Sequence, residues 1–240
     1  MAQYYSVRQQ EQSRVRAWFE ETYSKRGVGY LRPESAYPIY LQLLGARAGQ
    51  HLLDVGSGPG QLLKAAVHRG LTATGVDLSS TAIGIAKGRV PQAVSIVGNA
   101  ETLAFADDTF DFVTCIGSLE RMLDRKKVLA EMRRVAKPGA RMCFLVRNRE
   151  HATWRLWHRG LGQRNEQAHQ DALALEEWLD LFASCGLEVE RVLPDQWPRQ
   201  RLRRWVGRKT TPGVDEPVHE GRFPVRWALE FLLLVRTRER

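Results

Sequence analysis

A rhythm between residues 51 and 147 constrains this chain more than anything else in it. Short apolar runs, Leu52–Val55, Thr72–Asp77, Val94–Val97, Phe110–Ile116 and Met142–Val146, alternate with helical stretches at Gly60–Arg69, Ser80–Arg89 and Lys126–Ala136. The runs are rich in Val, Leu, Ile and Phe and are bounded by Gly, Asp, Asn or Pro, as buried strands are. Val128, Met132 and Val135 form one apolar stripe on the last helix. Strands joined by helices imply crossover connections and a parallel sheet covered on both faces. The spacing therefore predicts an α/β fold. A length of 240 residues suits one domain, or one with a small appendage.

The flanks read differently. Val15, Trp18, Phe19 and Tyr23 mark one face of a helix that Gly27 and Gly29 interrupt. A second helical stretch covers about Ala36–Leu44, so residues 1–47 are read as a helical cover and 48–240 as the main domain. Residues 148–170 carry Trp154, Trp157, His151, His158 and His169 among polar neighbours and read as an insertion on the substrate side. Leu175–Ser184 is predicted as a helix, Glu188–Leu193 as an exposed or edge strand, 195–224 as a basic loop, and Trp227–Val235 as a final strand.

Composition excludes several classes. No stretch reaches about 18 consecutive apolar residues, so no membrane-spanning helix is expected. The start, Met1–Ser6, lacks a charged segment leading into an apolar one, and no secretory signal is expected. Cys115, Cys143 and Cys185 are odd in number and lack metal-ligand spacing. Free thiols in the cytoplasm, with no disulfide framework and no metal, are the expectation. The net charge is +9. It divides into 18 basic against 13 acidic residues up to position 140 and 18 against 14 beyond it, so it is not one basic tail. Its one dense cluster is Arg199, Arg201, Arg203, Arg204, Arg208 and Lys209, with Trp205 inside it. That cluster is either a solvated loop or an attractor of an acidic partner.

The sharpest motif is Leu52-Leu53-Asp54-Val55-Gly56-Ser57-Gly58-Pro59-Gly60, where a buried strand meets a helix. Glycines there permit a tight turn and close approach of a ligand to backbone, beside the free N–H groups of a helix start. Asp77 closes the next strand, 17 residues after Gly60. A carboxylate so placed can accept both ribose hydroxyls of an adenosine ligand, or it can cap the next helix. A nicotinamide dinucleotide is disfavoured because the third glycine is not spaced as in that fingerprint.

These motifs, with Val76-Asp77-Leu78-Ser79, Gly98-Asn99-Ala100-Glu101, the Phe105–Val113 pattern, Ser118-Leu119-Glu120 and Leu129–Gly139, resemble the class I S-adenosylmethionine-dependent methyltransferases, in the group of ubiquinone and menaquinone methyltransferases. The resemblance covers residues 48–147 closely and extends loosely to 193. It implies a Rossmann-like seven-stranded sheet with the last strand antiparallel and helices on both faces. It implies S-adenosyl-L-methionine as cofactor. Asp54, Gly56, Ser57, Gly58 and Gly60 would face its methionine and ribose parts, and Asp77 would hold the ribose hydroxyls. Leu78 would pack on the adenine, Asn99, Ala100 and Glu101 would lie at its edge, and Cys115 and Ile116 would flank the sulfonium. The family usually has Asp where this chain has Asn99, whose amide oxygen can accept from the adenine amino group with neutral strength.

Methyl transfer from a sulfonium requires alignment above all, and a base only if the acceptor must lose a proton. Glu120, Arg121 and His151 are the candidate acceptor-side groups. Many relatives have His where this chain has Arg121, and an arginine is no base at neutral pH. Arg121 either binds a carboxylate or phosphate of the substrate or is a surface or ion-paired residue. The expected acceptor is a small molecule, anionic or aromatic, in a monomer or homodimer without stable nucleic acid. Methylation of RNA or protein through the basic C-terminal loops is the alternative.

Overall fold

In the computed structural model, the described residues are 2–152, 171–198, 201–202, 218, 220 and 224–237. Helix α1 spans Ala2–Arg26 and α2 spans Pro38–Leu44. Strand β1 (His51–Val55), helix α3 (Gln61–His68), strand β2 (Thr72–Asp77), helix α4 (Ser80–Arg89) and strand β3 (Val94–Val97) form the first half of the sheet. Strand β4 (Phe110–Ile116), helix α5 (Arg125–Val135), strand β5 (Ala136–Arg147), helix α6 (Leu175–Ser184) and strands β6 (Leu187–Pro194) and β7 (Glu230–Thr237) form the second.

The seven strands lie in the order β3-β2-β1-β4-β5-β7-β6. All pairings from β3 to β5 are parallel, and β7 runs antiparallel to both β5 and β6. This is the expected sheet, with β6 at one edge. From β1 the chain winds outward to β3, then returns to place β4 on the other side of β1. A crevice at the carboxyl ends of β1 and β4 follows from that reversal.

Alternation along the strands sorts the core onto two faces. Val113, Cys115 and Phe144 pack with Met132 of α5 and with Trp178 and Phe182 of α6. Phe112, Cys143 and Leu145 pack on the opposite face with Leu41 and Leu44 of α2 and Leu62 and Leu63 of α3. The indole of Trp178 donates to the carbonyl of Arg147 (3.0 Å), so its one polar atom is answered inside the core. None of the described helices is long and apolar enough to cross a membrane.

Two boundaries differ from the sequence reading. β5 begins at Ala136, directly after α5, and its pairing with β4 shifts between Phe110 and Phe112. Pro138 and Gly139 (φ +70°) lie in that irregular stretch, and their turn-like character hides the start of the strand. At the other end Trp227 is in a 3-10 turn, 59% exposed, and β7 starts only at Glu230.

Candidate functional site

After β1 the chain turns through Gly56 (φ +72°), Gly58 (φ +52°) and Gly60 (φ +82°) into α3. All three are left-handed, where a side chain is strained. Space matters as well. A Cβ on Gly56 would lie 2.5 Å from that of Ser118, and one on Gly58 would lie 2.9 Å from the Tyr23 hydroxyl. The turn is therefore wedged between the segment after β4 and helix α1. Gly56 and Ser57 both donate backbone N–H groups to the carbonyl of Val76 (2.8 and 3.1 Å), which ties the turn to the end of β2.

Asp77 at that strand end accepts from Gly58 N–H (2.8 Å) through one oxygen and from Ser79 N–H (2.9 Å) through the other. Burial raises its pKa, and these two backbone bonds oppose the rise. The helix cap weighed for Asp77 falls instead to Ser79, whose hydroxyl accepts from Ala82 N–H (3.1 Å). Asp77 is left facing a cavity of about 1160 Å³, open mouth included, the scale of a small-molecule site.

Asp54, Gly56, Ser57, Gly58, Asp77, Leu78, Asn99, Ala100, Glu101 and Ile116 all line that cavity. Two of the expected contacts do not. Cys115 is fully buried in the core beneath the sheet, because strand alternation points it away from its neighbour Ile116. Gly60 is the last residue before α3 and backs onto Ala86, 3.2 Å from where its Cβ would be. The Asn99 amide oxygen accepts from Glu101 N–H (3.0 Å), which uses one of its two lone pairs. Asp54 is buried and its pKa is pushed up to about 7 by burial, against a hydrogen bond from the Thr114 hydroxyl (2.8 Å).

Helix α1 roofs the cavity with Val15, Trp18, Phe19 and Tyr23. The apolar face of the helical cover is thus a wall of the site. What holds the helix there is Glu20, which the sequence reading passed over. Its carboxylate accepts from Ser80 N–H (2.7 Å), Thr81 N–H (2.9 Å) and the hydroxyls of Ser79 (3.0 Å) and Ser80 (2.8 Å), at the start of α4. Burial raises its pKa, but the bonds from Thr81 and Ser80 outweigh that and hold it at about 2. The partners are 59 to 61 residues away, so no local pattern could have shown it.

The three candidate acceptor-side groups are separated. Arg121 lines the cavity, with its guanidinium carbon 5.6 Å from the Trp18 ring centre and 5.5 Å from that of Phe19. Its Nη1 is buried without a hydrogen-bond partner. Glu120 is not a lining residue. It is buried behind the cavity at 1% exposure, its Oε1 3.7 Å from Arg147 Nε and its Oε2 without a partner. His151 stands in the turn after β5, away from the cavity lining. His158, His169, Trp154, Trp157 and Trp205 lie outside the described residues, as does the basic cluster except for the exposed Arg201. Tyr30, Tyr37 and Met122 complete the wall without any prior signal.

Residues 53–144 match the family model described as a methyltransferase domain. A demethylmenaquinone methyltransferase of Renibacterium salmoninarum is 38% identical over 104 residues, which are 43% of this chain and 44% of that protein. A ubiquinone biosynthesis O-methyltransferase of Coxiella burnetii is 33% identical over 105 residues, 42% of this chain and 45% of that protein. The chain thus spans less than half the length of these curated relatives. Among solved structures, a Thermotoga maritima protein described as a possible histamine N-methyltransferase superposes with a TM-score of 0.65 at 20% identity, over 92% of this chain and 99% of that one. At that identity the likeness concerns the fold.

Proposed function

We propose that this chain, which carries a class I S-adenosylmethionine-dependent methyltransferase domain, transfers a methyl group from S-adenosyl-L-methionine to a small-molecule acceptor. The observation that carries the reading is the junction of the glycine turn with Asp77 at the mouth of the crevice. The residues present fit the cofactor. The turn leaves no room for side chains at Gly56 and Gly58, and the Asp77 oxygens keep lone pairs beyond those its backbone donors use. When bound, the cofactor supplies a methyl group already activated on sulfur.

The chain's own work in this reading is positioning. Asp77 accepts the ribose hydroxyls, while Leu78 packs on the adenine with Asn99, Ala100 and Glu101 at its edge. Gly56 and Gly58 let backbone approach the methionine part, and Ile116 borders the reacting end. Trp18, Phe19 and Tyr23 exclude water above it, which favours an aligned in-line displacement. Residues 1–47 act as the cover and 48–240 as the catalytic domain. The relatives' printed names, which concern quinone biosynthesis, favour a small-molecule acceptor over nucleic acid.

Titration calorimetry with S-adenosylhomocysteine, followed by labelled methyl transfer to fractionated cell extract, tests the reading. Micromolar binding and a labelled low-mass product are expected. Absence of cofactor binding by the folded protein sinks it.

A further inference from the structure

Arg121 lines the cavity with its Nη1 buried and without a hydrogen-bond partner, and the charge acting on it most strongly is that of Glu120 beside it. That carboxylate places its Oε1 3.7 Å from Arg147 Nε, while its Oε2 makes no hydrogen bond. Arg147 in turn approaches Glu230 (3.7 Å), and Glu230 pairs with Arg32, which also holds Asp195 at 2.7 Å. Glu230 and Asp195 are thus committed to other arginines. Among the described residues Arg121 has no carboxylate within ion-pair distance, and its Nη1 makes no hydrogen bond. Its flanks are aromatic, Trp18 and Phe19. A buried guanidinium with an idle donor is costly unless something else supplies the acceptor.

This group comes from a different strand end than the cofactor's expected contacts. Asp77 ends β2, Asn99 follows β3, and the glycine turn follows β1. Arg121 follows β4 and neighbours Arg147 at the end of β5, across the sheet from the nucleoside side. A planar fork of N–H donors between aromatic rings matches a carboxylate on an aromatic or apolar body. Resting on the methyltransferase reading above, we propose that Arg121 is the receptor for a carboxylate on the methyl acceptor, so that this protein acts on organic acids.

The test compares benzoate, phenylacetate and cinnamate with their neutral amides. Binding is measured by calorimetry and saturation-transfer NMR, with and without saturating S-adenosylhomocysteine. In the native protein each acid is expected to bind at least about tenfold tighter than its amide. Arg121→Gln removes that preference, and Arg121→Lys keeps part of it, since a point charge lacks the fork. S-adenosylhomocysteine affinity stays within about twofold of native in both variants. Equal binding of acid and amide, or no binding of any acid at millimolar concentration, overturns the proposal. So does a tenfold loss of S-adenosylhomocysteine affinity in Arg121→Gln, which would give the guanidinium to the cofactor's own carboxylate. Failure of the native protein to bind S-adenosylhomocysteine, with acid preference intact, would instead sink the methyltransferase reading alone.

Discussion

The two sides of the crevice are finished to different degrees. On the β2–β3 side the charged groups are met from within, although the buried hydroxyls of Ser57 and Ser95 have no hydrogen-bond partner. Both Asp77 oxygens take backbone N–H groups, the Asn99 oxygen takes another, and Glu20 takes four donors at the start of α4. On the β4–β5 side, Arg121 Nη1, Glu120 Oε2 and Arg125 Nε are all buried without hydrogen-bond partners. Preorganised acceptors suit a ligand that is always the same. Idle buried groups suit one whose polar atoms complete the set. Of the idle groups only Arg121 lines the cavity, so the contrast fits a site whose nucleoside side is built in advance and whose other side is completed at Arg121.

The severest way to break that contrast is Asp77→Ala. Two charge-assisted bonds to the ribose would go, together with the tie to Gly58 N–H. At about 1.5–3 kcal/mol for each bond to a charged group, cofactor affinity should fall by roughly a hundredfold or more. Calorimetry with S-adenosylhomocysteine reads this directly, and unchanged affinity would remove Asp77 from the site. Gly58→Val comes next. The valine must adopt φ +52° and its Cβ must displace the Tyr23 hydroxyl. Left-handed strain alone is about 1–2 kcal/mol, which lowers the melting temperature by roughly 2–8 °C in a chain of this size. A variant that melts and binds as the native protein does would mean the turn is not packed as described.

Why the two sides were unequally legible in the sequence follows from the same contrast. The cofactor half is made of local features. A strand, three glycines and an acid at a fixed interval are all visible within 30 residues, and Thr72–Asp77, Ser80–Arg89 and Val94–Val97 have the bounds their periodicity predicts. The acceptor half is assembled from distant pieces. Arg121 meets Trp18 and Phe19 across a hundred residues, and Glu230 meets Arg32 across 198. No spacing rule encodes such contacts. One expected contact fails on orientation. Cys115 and Ile116 adjoin in sequence, but a strand sends them to opposite faces, and only the second reaches the cavity.

Glu20→Gln probes the seam between the halves, because Glu20 fastens the aromatic roof to α4. A neutral amide keeps acceptor geometry but loses charge and one oxygen, so a loss of about 1–1.5 kcal/mol is expected, as for a helix cap. The native carboxyl titrates at about 2 against a usual value of 4.5. A depressed value means the stabilisation is complete above pH 4.5 and fades as pH falls from there toward 2. Chemical denaturation at pH 7 and at pH 3 should therefore show a gap between native and variant at the higher pH that narrows at the lower. A gap that widened on acidification would reverse the assignment.

The smallest effect should come from Asn99→Asp. In the native loop the amide oxygen already receives Glu101 N–H, which an aspartate oxygen can receive equally well. The second carboxylate oxygen would replace the amide nitrogen, turning a donor into an acceptor at the adenine edge. If the adenine amino group lies there, the exchange adds a charge-assisted bond and tightens cofactor binding by under about 1 kcal/mol, or less than fivefold. The added charge also lies on the side of the crevice that already holds Asp77, Glu101 and Asp54, which opposes part of the gain. Weaker binding would mean that the native amide nitrogen donates to the base. The nucleoside side would then be completed by its ligand at one point, as the acceptor side is at Arg121.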